Sequence, residues 1–202
     1  MRFLTRPKFN LAQLMFVITV FCVLLGWYTS RSLQQKKSVE LLSEMGAEID
    51  YAAANVPIVS DLLARVLGDD FAYSVHDAKL HHNTTNDDVE LLRAFRNLQS
   101  LTVRGTTLDD DGLASVGKLT TLHSLSLQTP CLNRGNAERL RSLRNLRSLT
   151  LSFCPLDGHP EILEILESFP QLQKLYLENN NLDSHGVGFL RSAPQLLSLI
   201  HI

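Results

Sequence analysis

From Val89 onward the apolar residues fall into one register that returns five times. Its first copy is Val89, Leu92, Phe95, Leu98, Leu101 and Val103. Then come Leu113, Val116, Leu119, Leu122, Leu125 and Leu127, followed by Ala137, Leu140, Leu143, Leu146, Leu149 and Leu151. The fourth copy is Leu163, Leu166, Phe169, Leu172, Leu175 and Leu177; the fifth is Val187, Leu190, Ala193, Leu196, Leu199 and the deviant His201. Copies start 24, 24, 26 and 24 residues apart. Self-similarity at that period marks stacked units that bury a shared core, because one unit cannot cover its own apolar side. Each unit has two halves. The first steps by three residues along a short helical turn, and the second ends in the apolar-x-apolar alternation of a strand.

Leu98-x-x-Leu101-x-Val103, Leu122-x-x-Leu125-x-Leu127, Leu146-x-x-Leu149-x-Leu151 and Leu172-x-x-Leu175-x-Leu177 resemble the leucine-rich-repeat family, whose consensus is L-x-x-L-x-L-x-x-N/C/T-x-L. The ninth consensus position holds Thr106, Pro130, Cys154 and Asn180, each followed two residues later by a leucine: Leu108, Leu132, Leu156 and Leu182. The resemblance implies that a polar side chain there bonds to backbone inside the turn. Thr106, Cys154 and Asn180 suit that role, and Pro130 departs from it. The implied fold is α/β: a solenoid over residues 84–202, with a curved parallel sheet and short helices outside.

A second pattern precedes the repeats. Residues 9–28, FNLAQLMFVITVFCVLLGWY, carry no charge, and as a helix they would be about 30 Å long, the hydrocarbon thickness of a bilayer. Trp27 and Tyr28 stand where interfacial aromatics belong, behind a basic tail over residues 1–8. A cleaved signal peptide would need a small-x-small site after the apolar run, but the sequence there is GWYTSRS; an uncleaved transmembrane helix is expected. Orientation does not follow from charge, since Arg2, Arg6 and Lys8 balance Arg31, Lys36 and Lys37. The basic start, the Gly-Trp-Tyr end and the polar segment beyond are similar to bacterial membrane-anchored leucine-rich-repeat proteins. That implies a single-pass cell-membrane protein with its repeats on the extracytoplasmic side.

After a juxtamembrane segment, 29–37, residues 38–83 read as an N-terminal cap, because the first unit of a solenoid must cover its own core edge. A helix over 31–45 presents Leu33, Val39, Leu42 and Met45, and Gly46 stops it. A short strand is expected at 48–51, a helix over 58–67 between Pro57 and Gly68, and a degenerate strand unit at Val75-x-x-Ala78-x-Leu80. Asn86 or Thr85 is the expected N-cap of the helix bearing Val89. The two extra residues of the 26-residue step fall in a rim loop at 157–162.

Net charge −2 argues against a nucleic-acid partner. His76, Asp77, His81 and His82 form the densest group of ligand-type residues but lack a metal-ligand spacing, so a solvated loop is expected and no metal or cofactor. Asn83-Thr84-Thr85 matches a glycosylation sequon, a weak pattern. No phosphate-binding glycine loop, G-x-S-x-G elbow or H-E-x-x-H occurs, and no catalytic residue is assigned. Cys131 and Cys154 lie on adjacent units, but Cys131 should point outward, leaving two thiols rather than a disulfide.

Function is expected on the concave sheet face. Ser100, Ser124 and Ser148 tile it with small side chains. Arg104, His123, Arg147, Lys174, Tyr176 and Glu178 stand out as long or aromatic groups of the kind that protein interfaces use. Arg134, Arg139, Arg141 and Arg144 belong to the convex side and read as a solvated face. The leading expectation is a non-enzymatic protein-interaction module with an unidentified protein partner. The alternative is an envelope assembly element that self-associates through residues 196–202, where the last strand has no following unit and Leu197 and Ile200 turn the concave positions apolar. An enzyme using the region 76–82 is a third reading, and no residues remain to build it a catalytic domain.

Overall fold

The computed structural model describes residues 10–52, 64–65, 69–81, 84–105, 108–128, 133–154, 156, 160–180 and 198–201. Seven strands lie in one sheet in chain order: β1 (Glu48–Tyr51), β2 (Val75–Leu80), β3 (Ser100–Arg104), β4 (Ser124–Gln128), β5 (Ser148–Ser152), β6 (Lys174–Glu178) and β7 (Ser198–His201). β1 is antiparallel to β2, and every later pair is parallel. The register advances by one repeat at each step. Leu101, Leu125, Leu149, Leu175 and Leu199 form one column, and Val103, Leu127, Leu151, Leu177 and the deviant His201 form the next. The result is a mixed α/β architecture around a parallel sheet.

Parallel strands need crossovers, and these carry the short helices. α3 (Asn86–Leu91) runs into a 3-10 turn at Leu92–Ala94, and α4 (Asp110–Gly117) follows. α5 (Arg134–Ala137) runs into a 3-10 helix at Glu138–Ser142, and the next crossover is 3-10 throughout Pro160–Ser168. A 3-10 helix has 3.0 residues per turn, so positions i and i+3 eclipse, which suits the three-residue apolar step of the crossovers that adopt it; in α4 the same step puts Leu113 and Val116 on one α-helical face. One continuous core collects the columns, from Leu42 and Val75 through Phe95, Leu113, Leu140 and Leu166 to Leu177, with Phe95 and Phe169 its largest fully buried side chains.

Neighbouring units are also stitched at a polar position just ahead of β3, β4 and β5. Asn97 Nδ2 donates to Ser74 Oγ at 2.9 Å, Thr121 Oγ1 to the Leu98 carbonyl at 2.7 Å, and Asn145 Nδ2 to the Thr120 carbonyl at 2.9 Å. Each bond reaches back one unit. Thr85 caps α3 through a box in which its N–H donates to Asp88 Oδ2 at 2.7 Å, settling the choice between Thr85 and Asn86.

The apolar span and the expected helix over 31–45 are a single element, α1 (Leu11–Glu44), 34 residues and about 51 Å long. Asn10 and Gln13 box its start, and Thr19 satisfies its hydroxyl on the Met15 carbonyl at 2.9 Å. Its most apolar stretch buries nothing against the rest of the protein. Its last turns dock on part of the expected face, where Leu42 is buried and Val39 packs against the core, together with polar residues that were not expected. Ser32, Gln35, Ser38 and Leu42 are buried, whereas Leu33 and Met45 are 57% and 47% exposed. Small serines let the helix approach closely, and Gln35 Nε2 donates to the Tyr73 carbonyl at 3.0 Å. Gly46, at φ +83°, ends the helix as expected, with Gly46 N–H on the Ser43 carbonyl and Ala47 N–H on that of Leu42.

The helix expected over 58–67 lies outside the described residues except for Ala64 and Arg65, which are helical. A short helix, α2 (Asp69–Ala72), precedes β2. The rim loop is shorter than expected. Residues 157–159 lie outside the description, but Pro160, Glu161 and Ile162 already belong to the 3-10 helix, where proline's fixed φ suits a first turn. Thr106, Pro130, Cys131, Leu132 and residues 181–197 lie outside the described residues.

Candidate functional site: the open face of the sheet

Alternation along each strand sends leucines to the core and the intervening residues to the open face. Strand pairing then orders those residues into rows. One row is Asp77, Ser100, Ser124, Ser148 and Lys174; the next is Lys79, Thr102, Ser126, Thr150 and Tyr176; a third is Arg104, Gln128, Ser152 and Glu178. The strands engage one residue earlier still. Ser124 and His123 both donate to the Gln99 carbonyl, Ser148 and Arg147 to that of His123, and Lys174 and Gln173 to that of Arg147. His123 and Arg147 therefore head their strands in register.

Of the six expected contact residues, the sheet brings four together. Lys174, Tyr176 and Glu178 alternate along β6 at about 6.6 Å intervals, and Arg147 enters β5, one strand spacing of about 4.8 Å away. Tyr176 is half-buried beside Thr150, while Arg147, Lys174 and Glu178 are exposed. None of these three charges has an ion-pair partner among the described residues. Ser152 departs from the expectation for its row and is buried.

The other two stand apart. Arg104 lies three strands from Glu178, roughly 14 Å across the sheet, and it sits in the field of Glu48. Its neighbourhood is a second polar group at the first strands: Lys79 Nζ meets Glu48 Oε2 at 3.0 Å, and His81 Nε2 lies 3.8 Å from Glu48 Oε1. The Lys79 hydrogen bond, then its charge, hold the Glu48 carboxyl below its ordinary range, and Glu48 raises Lys79 in turn. His123 is half-buried on β4's approach, and its Nδ1 is buried with no hydrogen-bond partner among the described residues.

His76 and Asp77 lie on β2 and His81 follows it; His82 and Asn83 are outside the described residues. Among the described residues no three of His, Cys, Asp or Glu are grouped to hold a metal ion. On the helical side Arg141 is paired with Glu138, Nε to Oε2 at 2.6 Å. The polar row of Asn97, Thr121 and Asn145 was not anticipated, although its 24-residue recurrence was there to be read.

The model of the Leucine Rich Repeat family matches residues 145–167, a stretch holding β5 and most of the 3-10 helix after it. That match supports the leucine-rich-repeat family. No curated protein matches the chain.

Proposed function

We propose that this chain is a membrane-anchored, non-enzymatic leucine-rich-repeat solenoid whose concave face binds a protein partner. The carrying observation is the register of β5 and β6. It sets half-buried Tyr176 among Arg147, Lys174 and Glu178, three exposed charges with no ion pair among the described residues. An aromatic anchor within a polar rim on a rigid sheet is the arrangement that concentrates binding energy in protein interfaces. The family match favours the same class of function, since repeats of this kind serve protein interaction. The test is capture of partners by the full chain in detergent. Tyr176→Ala should weaken a captured partner by about 1–2 kcal/mol or more without unfolding the sheet. Undiminished capture by a Tyr176→Ala, Arg147→Ala variant would place the site elsewhere.

The anchor is residues 9–28. Its support is the exposure of the apolar part of α1, which leaves bilayer lipid as its natural solvent. Alkaline extraction should leave the protein in the membrane pellet, with a mature N-terminus at or near Met1. The repeats are assigned to the extracytoplasmic side on the resemblance to bacterial anchored proteins. Protease added to intact cells should digest them.

A further inference from the structure

Where α1 leaves its apolar segment it forms a cleft with the first repeat. The cleft holds about 270 Å³ and is walled by Trp27, Tyr28 and Arg31 on the helix and by Tyr73, Arg96 and Asn97 across from it. Two features make it unusual. Its described lining includes three arginines, Arg31, Arg93 and Arg96, and no Asp or Glu. Arg93 is committed to Glu90, but Arg96 has no carboxylate partner among the described residues. Arg31 is held against the Trp27 ring, 3.0 Å from its centroid, so its guanidinium is fixed in the cleft wall. Partial desolvation, and then the charge of Arg96, hold Arg31 below its ordinary pKa; two like charges face one space. Such an arrangement is relieved by an anion, and guanidinium planes suit phosphate oxygens.

We propose that Arg31 and Arg96 receive the phosphate of an anionic phospholipid headgroup from the leaflet adjoining the repeats. This rests on the reading of residues 9–28 as a membrane anchor. The argument for a lipid is position: Trp27 and Tyr28 wall the cleft and also close the uncharged run, so the cleft opens at the depth where headgroups lie. A space of this size takes a phosphate and the few atoms around it, leaving the acyl chains beside the exposed Leu24 and Leu25.

The experiment uses the full chain in detergent, titrated with phosphatidylglycerol or phosphatidylcholine, with bound lipid counted by native mass spectrometry. Phosphatidylglycerol should be retained preferentially. An Arg31→Gln, Arg96→Gln variant should lose that preference by about tenfold or more, since each basic side chain near an anionic surface contributes roughly one kcal/mol. The doubly lysine-substituted form, Arg31→Lys with Arg96→Lys, should keep most of it. Equal retention of the two lipids, or an unchanged glutamine variant, overturns the assignment. Inorganic phosphate binding as tightly as the lipid also overturns it, by making a free ion the ligand. Alkaline extraction run in parallel separates the two readings. Retention in the pellet without lipid preference defeats only the headgroup site; release of the wild-type chain defeats the anchor and the site together.

Discussion

Asn180 closes the turn that contains Cys154, one unit behind it. Its Oδ1 accepts the Cys154 N–H at 2.8 Å and its Nδ2 donates to the Leu151 carbonyl at 2.8 Å, all within the core. One amide thus satisfies the Cys154 N–H just beyond β5 and a carbonyl near that strand's end. Asn180→Ala should cost about 2–4 kcal/mol, because each buried backbone group left unpaired costs about 1–3. Urea unfolding in detergent, followed by circular dichroism, would measure it. A loss below about 0.5 kcal/mol would show that water replaces the amide.

Gly117 marks where successive crossovers touch. A Cβ there would lie 2.1 Å from the Arg139 carbonyl oxygen, and Ser142 Oγ already donates to the Gly117 carbonyl. Gly117→Ala should therefore destabilise by about 1–3 kcal/mol through overpacking against backbone. Gly26→Ala is the control, because nothing lies within 4 Å of its missing Cβ. Similar urea midpoints for the two variants would refute the close contact.

Asp109 predicts a pH dependence. It caps α4 by accepting from Gly112 and Asp111 N–H groups and from Asn86 Nδ2, and these bonds hold its carboxyl below the ordinary range. A depressed folded-state pKa stabilises above the unfolded value and loses that contribution as pH falls through the folded one. The contribution should be complete at neutral pH and fade below about pH 4. Asp109→Asn should leave neutral stability nearly unchanged, since Asn also caps well, and should flatten the acid decline. Asp109→Ala should lower the unfolding temperature near neutrality and by less near pH 3, where the wild-type carboxylate is already losing its contribution. Parallel melts near neutrality and near pH 3 distinguish the cases.

The docked end of α1 gives a fourth test. Leu42 is its one fully buried apolar side chain in the core, and Leu42→Ala should cost about 2–5 kcal/mol. Gln35→Ala removes a single bond to the Tyr73 carbonyl and should cost about 1 kcal/mol. Trypsin cleavage at Lys36 and Lys37 should accelerate markedly in the first and slightly in the second. The reverse order would mean that the polar bond, not the leucine, holds the helix down.

The leucine columns were legible because a shared core forces one apolar register on every unit, and Leu125 then has no choice but to pair with Leu101 and Leu149. The same alternation placed Lys174 and Tyr176 on one face. What hydropathy could not show were contacts made by polar groups. Ser32, Gln35 and Ser38 dock α1 beside Leu42, whereas the apolar stripe Leu33, Val39, Leu42 and Met45 included two residues, Leu33 and Met45, that stay exposed. The distance between Arg104 and Tyr176 was legible, since they stand in the first and fourth copies of the repeat; what was hidden is the company Arg104 keeps. It sits in the field of Glu48 on β1, which lies outside the repeat and joins the edge of the sheet by antiparallel pairing. Periodicity describes the units and is silent about what is appended to them.

The unbroken course of α1 has a mechanical consequence. A chain that entered its folded part through a glycine or serine tether would let that part swivel and reach out as far as the tether allowed. Here the shaft that begins at Leu11 runs without a break to Glu44, and its far end is keyed to the folded part by Gln35, on the Tyr73 carbonyl, and by Leu42 in the core. In a bilayer, the tilt of the shaft would set the height and inclination of Tyr176 and its neighbours, and a lateral pull on them would arrive at the shaft as torque. Partners would be met at one height and one inclination, like fittings on a mast rather than floats on a line.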